Sequence, residues 1–236
     1  MDTLVAPQRK LRADDIFFPG MAVLILAVVV IGFAQSYFLP GMVLAKLPNK
    51  LVHIHGALFV SWIFLLVLQT SLVAARKVRL HMSLGVLALI LPPLMAIFGM
   101  LTLFDSIKRN GTGIPGELIL VGDTEELILF LFLIGWAMRA RHAAATHKRL
   151  MILGTLALMG PAVNRWPFPP AFRLPGTILV CAALPLFVVA YDLITTRKVM
   201  RATWVGTLLI MISIFSIVPV SNMPIWQHVV AWIRQG

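Results

Sequence analysis

Residues 51–70, LVHIHGALFVSWIFLLVLQT, form an apolar stretch without a charged side chain, and this stretch limits what the chain can become. A helix of about 20 apolar residues crosses the ~30 Å hydrocarbon core of a bilayer. A helix also pairs its own backbone N–H and C=O groups, which lipid cannot do. Further apolar runs occupy residues 17–38, 81–104, 124–139, 150–164, 175–192 and 204–220. We therefore predict an all-α, polytopic transmembrane helical bundle of about seven spans.

The composition supports a membrane protein and argues against a nucleic-acid partner. The chain is 60% hydrophobic and only 12% charged, with a mean hydropathy of +0.94, whereas soluble domains are about 25% charged. The net charge of +11 comes from short Lys and Arg clusters between apolar runs. Clusters in such positions orient spans and bind anionic lipid. The expected partners are the lipid bilayer, with anionic lipids at the cytoplasmic face, and no nucleic acid.

The chain divides into a polar cytoplasmic tail (residues 1–15), a single transmembrane domain (16–222) and a short amphipathic tail (223–236). Seven spans place the two chain ends on opposite sides, and Lys and Arg favour the cytoplasm. One side collects the larger share of the 20 basic residues, namely Arg9, Lys10, Arg12, Arg76, Lys77, Arg79, Arg139, Arg141, Lys148, Arg149, Arg197, Lys198 and Arg201. We therefore predict a cytoplasmic N-terminus and an external C-terminus.

The second span carries two histidines at its start. On a helix, His55, Trp62 and Gln69 share one face, which is too polar to face lipid and is expected to point inward. His53 points elsewhere unless it lies in a non-helical entry turn. The alternative is that both histidines are simply interfacial.

A carboxylate one turn into the fourth span could complete a site with these histidines. Ionisable groups within a membrane are costly and tend to face the bundle interior, so Glu126 is expected to meet His55 and Arg165 in an outer pocket. A transition-metal ion held by His53, His55 and Glu126 is one prediction. Helix capping by Asp123, with Glu126 favoured by the helix dipole, is the alternative.

A second pair of histidines is expected at the cytoplasmic side. His81 opens the third span and His147 opens the fifth, each beside Lys or Arg. Two histidines from two helices suit bis-histidine ligation of haem b, and the basic residues suit its propionates. The alternative is a patch that binds lipid phosphate. Asp192, near the inner end of the sixth span, is expected to pair with a basic residue of the inner loops.

Four short motifs carry a family resemblance: His53-Ile54-His55-Gly56, Arg79-Leu80-His81 followed by Leu84-Gly85, His147-Lys148-Arg149-Leu150-Met151, and Asn164-Arg165-Trp166-Pro167. Together they resemble an uncharacterised family of small bacterial multi-pass membrane proteins, over most of the chain. The resemblance implies a location in the bacterial inner membrane. Paired histidines on neighbouring spans also resemble, more loosely, the helical bundles of b-type cytochromes.

The sequence thus favours a membrane protein that binds haem b or a transition-metal ion and takes part in membrane redox chemistry. A small-solute or ion transporter is the first alternative, because Pro92-Pro93, Pro161, Pro185 and Pro219 fall within spans and could break helices. The second alternative is an accessory subunit of a larger membrane complex. A homo-oligomer is also compatible with the sequence.

Overall fold

The computed structural model describes residues 12–42, 44–109 and 115–235, and within these ranges it contains helices and no strand. The helices are α1 (Ala13–Phe33, continued by a π-helical turn, Ala34–Phe38), α2 (Lys50–Ala74), α3 (Val78–Leu84), α4 (Leu87–Arg109), α5 (Gly116–Arg139), α6 (Ala144–Leu156), α7 (Gly160–Val163), α8 (Arg173–Thr196, preceded by a 3₁₀ turn, Pro170–Phe172), α9 (Arg201–Ser221) and α10 (Pro224–Gln235).

Five helical segments of the described chain are long and apolar enough to cross a membrane: Ala13–Phe38, Lys50–Ala74, Val78–Arg109, Pro170–Thr196 and Arg201–Ser221. The prediction of an all-helical membrane protein is confirmed at this level. The predicted fourth and fifth spans, which correspond to α5 and to α6 with α7, are not among the five. In α5 the acids Asp123, Glu125 and Glu126 stand close together, and α6 has only 13 residues.

Ion pairs and hydrogen bonds show which helix ends lie together. Asp14 at the start of α1 pairs with Lys148 of α6, Asp15 with Arg76 just after α2, and Arg149 of α6 with Asp192 near the end of α8. We call the end of the bundle that these contacts define the basic end. At the opposite end, Asn49 before α2 donates to the carboxylate of Asp105 in α4, with both distances 3.0 Å.

Helix α6 is the most buried part of the fold. Leu150, Ile152 and Leu153 are each 0% exposed, because α1, α5, α8 and α9 all pack around the helix. A helix that is apolar on all its faces is stable only when neighbours surround it. Trp62 of α2 adds a polar contact, since its Nε1 donates to Thr155 Oγ1 at 3.1 Å.

Two spans are interrupted where glycine permits it. The predicted fifth span breaks between α6 and α7, immediately before Gly160-Pro161. The third span breaks at Gly85, between α3 and α4, whereas α4 runs without interruption through Pro92-Pro93. A proline ring clashes with the carbonyl four residues earlier. Pro92 and Pro93 are the sixth and seventh residues of α4, so the carbonyls of Ala88 and Leu89 receive no backbone hydrogen bond from them.

Both chain ends differ in detail from the predicted tails. Helix α1 starts at Ala13, so Asp14 and Asp15 are helical; Arg9 and Lys10 lie outside the described residues. At the C-terminus, α10 buries Val230 and Ile233 in a small cluster with Leu103, Ile107 and Leu120. Helix α10 therefore covers the ends of α4 and α5. Helix α5 starts at Gly116, earlier than residue 124, because Leu118 to Val121 extend its apolar surface.

The contact between α1 and α7 gives a stability prediction. A Cβ atom on Gly32 would lie 2.2 Å from the backbone oxygen of Ala162, and a backbone oxygen cannot move aside as a side chain can. We expect Gly32→Ala to lower the free energy of unfolding by about 1–3 kcal/mol, as overpacking does. Denaturant unfolding of the purified protein in detergent measures the change.

The matched control is Gly20→Ala in the same helix, where a Cβ would meet nothing within 4 Å. Since alanine is the better helix former, this variant should unfold like the parent or gain about 0.5–1 kcal/mol. Equal losses in both variants would contradict the close approach of α1 to α7.

Candidate functional site

His81 and His147 lie side by side at the basic end of the bundle. His81 belongs to α3 and His147 to the first turn of α6, and their ring centroids are 6.5 Å apart with the ring planes at 80°. Nδ1 of His147 lies 2.8 Å from the backbone oxygen of Ala137 in α5. A histidine whose Nδ1–H donates to a carbonyl presents the lone pair of Nε2 for a ligand. The structure thus brings together the two histidines that the sequence predicts as a pair.

Gln69 adds unsatisfied polar atoms next to His81. Within the described part of the chain, Gln69 Nε2, Gln69 Oε1 and His81 Nδ1 are buried and have no hydrogen-bond partner. The His81 ring lies against the backbone of Gln69. Buried polar side-chain atoms nearly always have a partner, so this group of atoms is able to form hydrogen bonds to a polar ligand. Gln69 faces inward as predicted, but it borders His81; about 20 Å of helix separates it from His55.

Trp62 serves the packing of the bundle. Its indole N–H bonds Thr155, and its ring meets the Phe130 ring of α5 edge to face, with centroids 5.2 Å apart. The side chain is 1% exposed. The inward face predicted for Trp62 is present, and it contacts the buried helix α6 and not a ligand site.

His55 points into the bundle at the opposite end. Its ring lies 4.2 Å from that of Phe59, centroid to centroid, and near the backbone of Phe98 in α4; its Nδ1 is buried without a partner. Arg165 lies close enough to interact electrostatically with both His55 and Asp123. The predicted outer pocket therefore has Asp123 as the carboxylate beside Arg165.

Glu126 lies against the break between α6 and α7. Its carboxylate is next to Gly160 and interacts electrostatically with Asp123, Glu125 and Cys181. Within residues 12–42, 44–109 and 115–235, no three His, Cys, Asp or Glu side chains form a group that could hold a metal ion. The predicted set of His53, His55 and Glu126 is thus not gathered into one metal site.

Asp192 forms the expected pair with a basic residue, and that residue is Arg149. Oδ1 of Asp192 accepts from Nε of Arg149 at 2.8 Å and from Nη2 at 2.5 Å. Oδ2 accepts from Thr203 Oγ1 at 2.6 Å and from the N–H of Met200 at 2.9 Å. Both side chains of the pair are almost fully buried. Every oxygen of this carboxylate is therefore satisfied, which is what a buried ion pair requires.

Asp14, for which the sequence predicted no role, makes further contacts beside this pair. Asp14 Oδ1 accepts from the Tyr191 hydroxyl at 2.5 Å and Oδ2 lies 2.5 Å from Lys148 Nζ. The Lys148 ammonium also lies 4.7 Å from the centroid of the Phe18 ring. The signal for Asp14 was present in the sequence, because an acid pair directly before an apolar run is typical of a helix N-terminus.

Removing one member of the buried pair tests its role. We expect Arg149→Met to lower the free energy of unfolding by about 3–5 kcal/mol, because it leaves the Asp192 carboxylate buried and uncompensated. Denaturant unfolding in detergent again provides the measurement. Arg109→Met is the matched control, since Arg109 forms a partly exposed pair with Asp105 four residues earlier, worth about 0–1 kcal/mol. A loss for Arg149→Met no larger than this would contradict the assignment.

Comparisons with known proteins do not extend this description. No protein family, no curated protein and no solved structure matches the chain. The functional conclusion therefore depends on the geometry of the side chains.

Proposed function

We propose that the protein is a bacterial inner-membrane protein that holds haem b between His81 and His147 and takes part in membrane electron transfer. The observation that carries the proposal is the pairing of two imidazoles from separate helices, with ring centroids 6.5 Å apart. When two histidines hold a haem, the hydrogen bonds around it and its burial in the protein set its reduction potential.

With ring centroids 6.5 Å apart, His81 and His147 would be able to hold one metal-bearing group together. Imidazole nitrogens are ligands of iron, copper and zinc. The bond from His147 to the carbonyl of Ala137 supports the same assignment, because metal-binding histidines usually donate their other N–H to such a group. The unsatisfied amide of Gln69 offers a further hydrogen bond.

The electrostatic surroundings suit an anionic cofactor. His147 lies in the first turn of α6, where the helix dipole favours negative charge, whereas His81 lies in the middle of the seven-residue helix α3. Lys77 and Arg79 flank His81 and are exposed, so they are free to pair with carboxylates such as the haem propionates.

The lengths of α5, α6 and α7 support the predicted topology of seven spans. Helix α5 has 24 residues and is about 36 Å long, enough for a ~30 Å hydrocarbon core. Helices α6 and α7 together complete a further crossing inside the bundle. Arg76, Arg141 and Arg197 are exposed and lie near the basic end. By the positive-inside rule they support a cytoplasmic N-terminus and contact with anionic lipids.

Transport is a second candidate because the buried span is discontinuous at α6 and α7. Broken helices inside a bundle form the central sites of many transporters.

The transport candidate predicts that Glu126→Ala abolishes uptake while haem and metal content stay unchanged. The proton is the first cargo to test, and a pH-sensitive dye inside proteoliposomes measures its flux. Equal proton flux in parent and variant would exclude the proton as that cargo. A role as an accessory subunit would instead appear as co-purification with fixed partners.

Absorption spectroscopy tests the haem proposal. Protein purified from cells supplied with haem precursor should show a Soret band that shifts on reduction, with one haem per chain. We expect His81→Ala and His147→Ala each to lower the haem content at least about tenfold, since losing even the partner of a ligand costs 10–100-fold in affinity.

The control for these variants is His142→Ala. His142 is exposed in the turn between α5 and α6, close to His147 in sequence, and its replacement should leave the spectrum unchanged. Purified protein with neither a Soret band nor stoichiometric metal would refute the proposal. Copper or zinc without haem, lost in the same two variants, would instead assign a bare transition-metal ion to the His81–His147 pair.

A further inference from the structure

The carboxylate of Glu126 in α5 has neither a hydrogen bond nor a cationic partner among the described residues. Glu126 lies ten residues into α5 from Gly116, about 15 Å along the helix. Among the residues that the structure describes, its carboxylate makes no hydrogen bond and no ion pair, in contrast to Asp192 and Asp14. A carboxylate left in apolar surroundings without compensation is strongly disfavoured in its charged form.

Gly160 makes the space for this carboxylate. A Cβ atom at position 160 would lie 2.0 Å from Oε1 of Glu126, so the oxygen occupies the volume that any larger residue would need. The glycine stands where α7 begins, directly after the break in the buried span. The break and the missing side chain together bring the carboxylate against the backbone of the central helix.

On its other side the carboxylate borders a cavity of about 80 Å³ between α5, α6, α8 and α9. Most of its wall is aliphatic, and its polar groups besides Glu126 are Thr177, Cys181 and Ser213. One water occupies roughly 30 Å³ of liquid volume, so the cavity has room for two waters. Leu174 and Val218 on its rim are exposed at the surface of α8 and α9, which connects the carboxylate with the surroundings of the bundle.

Among the described residues, the titratable groups that interact directly with Glu126 are acidic or neutral. Asp123 and Glu125 of α5 interact with it as like charges, and Cys181 of α8 is a thiol. Glu125 is itself held by α9, since it accepts from Ser216 Oγ at 2.9 Å and from Ser213 Oγ at 3.3 Å. The nearby cation, Arg165, interacts with Asp123. Within the described residues, the groups that interact with Glu126 thus add negative charge beside its carboxylate and supply no cation to it.

We propose that Glu126 is a proton-binding site of the bundle. Its carboxyl group is protonated and exchanges its proton through the cavity between α5, α6, α8 and α9. The site is independent of the histidine pair, and it would remain if the protein bound no haem. The bound species is a proton, so binding requires no further ligand from the protein.

Labelling with an apolar carbodiimide tests the proposal. Such a reagent enters lipid and adds to a carboxyl group only in its protonated form, because the carboxyl proton is taken up by a nitrogen of the reagent as the oxygen bonds to its central carbon. The product keeps all atoms of both reactants and increases the mass of the peptide by that of the reagent. At pH 7 an ordinary exposed glutamate is protonated in only about 1 in 500 molecules. We therefore expect Glu126 to be labelled on the order of a hundredfold faster than exposed carboxylates.

The full-length protein is labelled in membranes, and mass spectrometry of its peptides then identifies the labelled residue. Glu126→Gln should abolish the label, whereas Glu125→Gln, its neighbour in sequence, should keep it. Each variant is first compared with the parent by denaturant unfolding, so that a misfolded chain is recognised. As a second measurement, the infrared band of a protonated carboxylic acid should disappear in Glu126→Gln and persist in Glu125→Gln. A folded parent protein that is unlabelled at Glu126, or labelled equally at Glu125, would overturn the proposal.

Discussion

The buried pair of Arg149 and Asp192 fixes the position of α6 at the basic end of the bundle. Taking two charges out of water costs several kcal/mol per ion, and only a complete set of hydrogen bonds compensates for the cost. Asp192 reaches that state by binding α6 through Arg149 and α9 through Thr203 and Met200. A shift of α6 by one residue would leave buried charges unpaired. The pair therefore sets the rotation and height of α6, and with them the direction of His147, two residues before Arg149.

The position of α6 also explains the break in the span that it begins. Lipid does not tolerate exposed, unpaired backbone groups, so a broken helix survives only where protein surrounds it. Helices α1, α5, α8 and α9 provide that shield. The break in turn places Gly160 against Glu126. A single constraint, the burial of α6 on all sides, thus supports both the histidine pair at the basic end and the isolated carboxylate deeper in the bundle.

Residues whose partners lie at predictable helix ends were identified from the sequence. His81 and His147 each open a span beside basic residues, so the common end of two helices brings them together. Asp192 was matched to an inner basic residue for the same reason. Glu126 differs: it was expected beside His55 and Arg165, but the structure puts Asp123 beside Arg165 and turns Glu126 toward Gly160. Whether Asp123 or Glu126 lies beside Arg165 depends on the rotation of α5 about its axis. The apolar pattern of α5 does not define that rotation.

The sequence by itself determined that the chain is a helical membrane protein, because runs of about 20 apolar residues have no other stable environment. It also determined which helix ends share the basic end, because Lys and Arg clusters alternate with the spans. Only the tertiary structure decided that α6 is the buried helix, where its span breaks, and which carboxylate is left without a partner. Those features arise from side chains far apart in the chain, and their contacts depend on how the helices rotate and pack against one another.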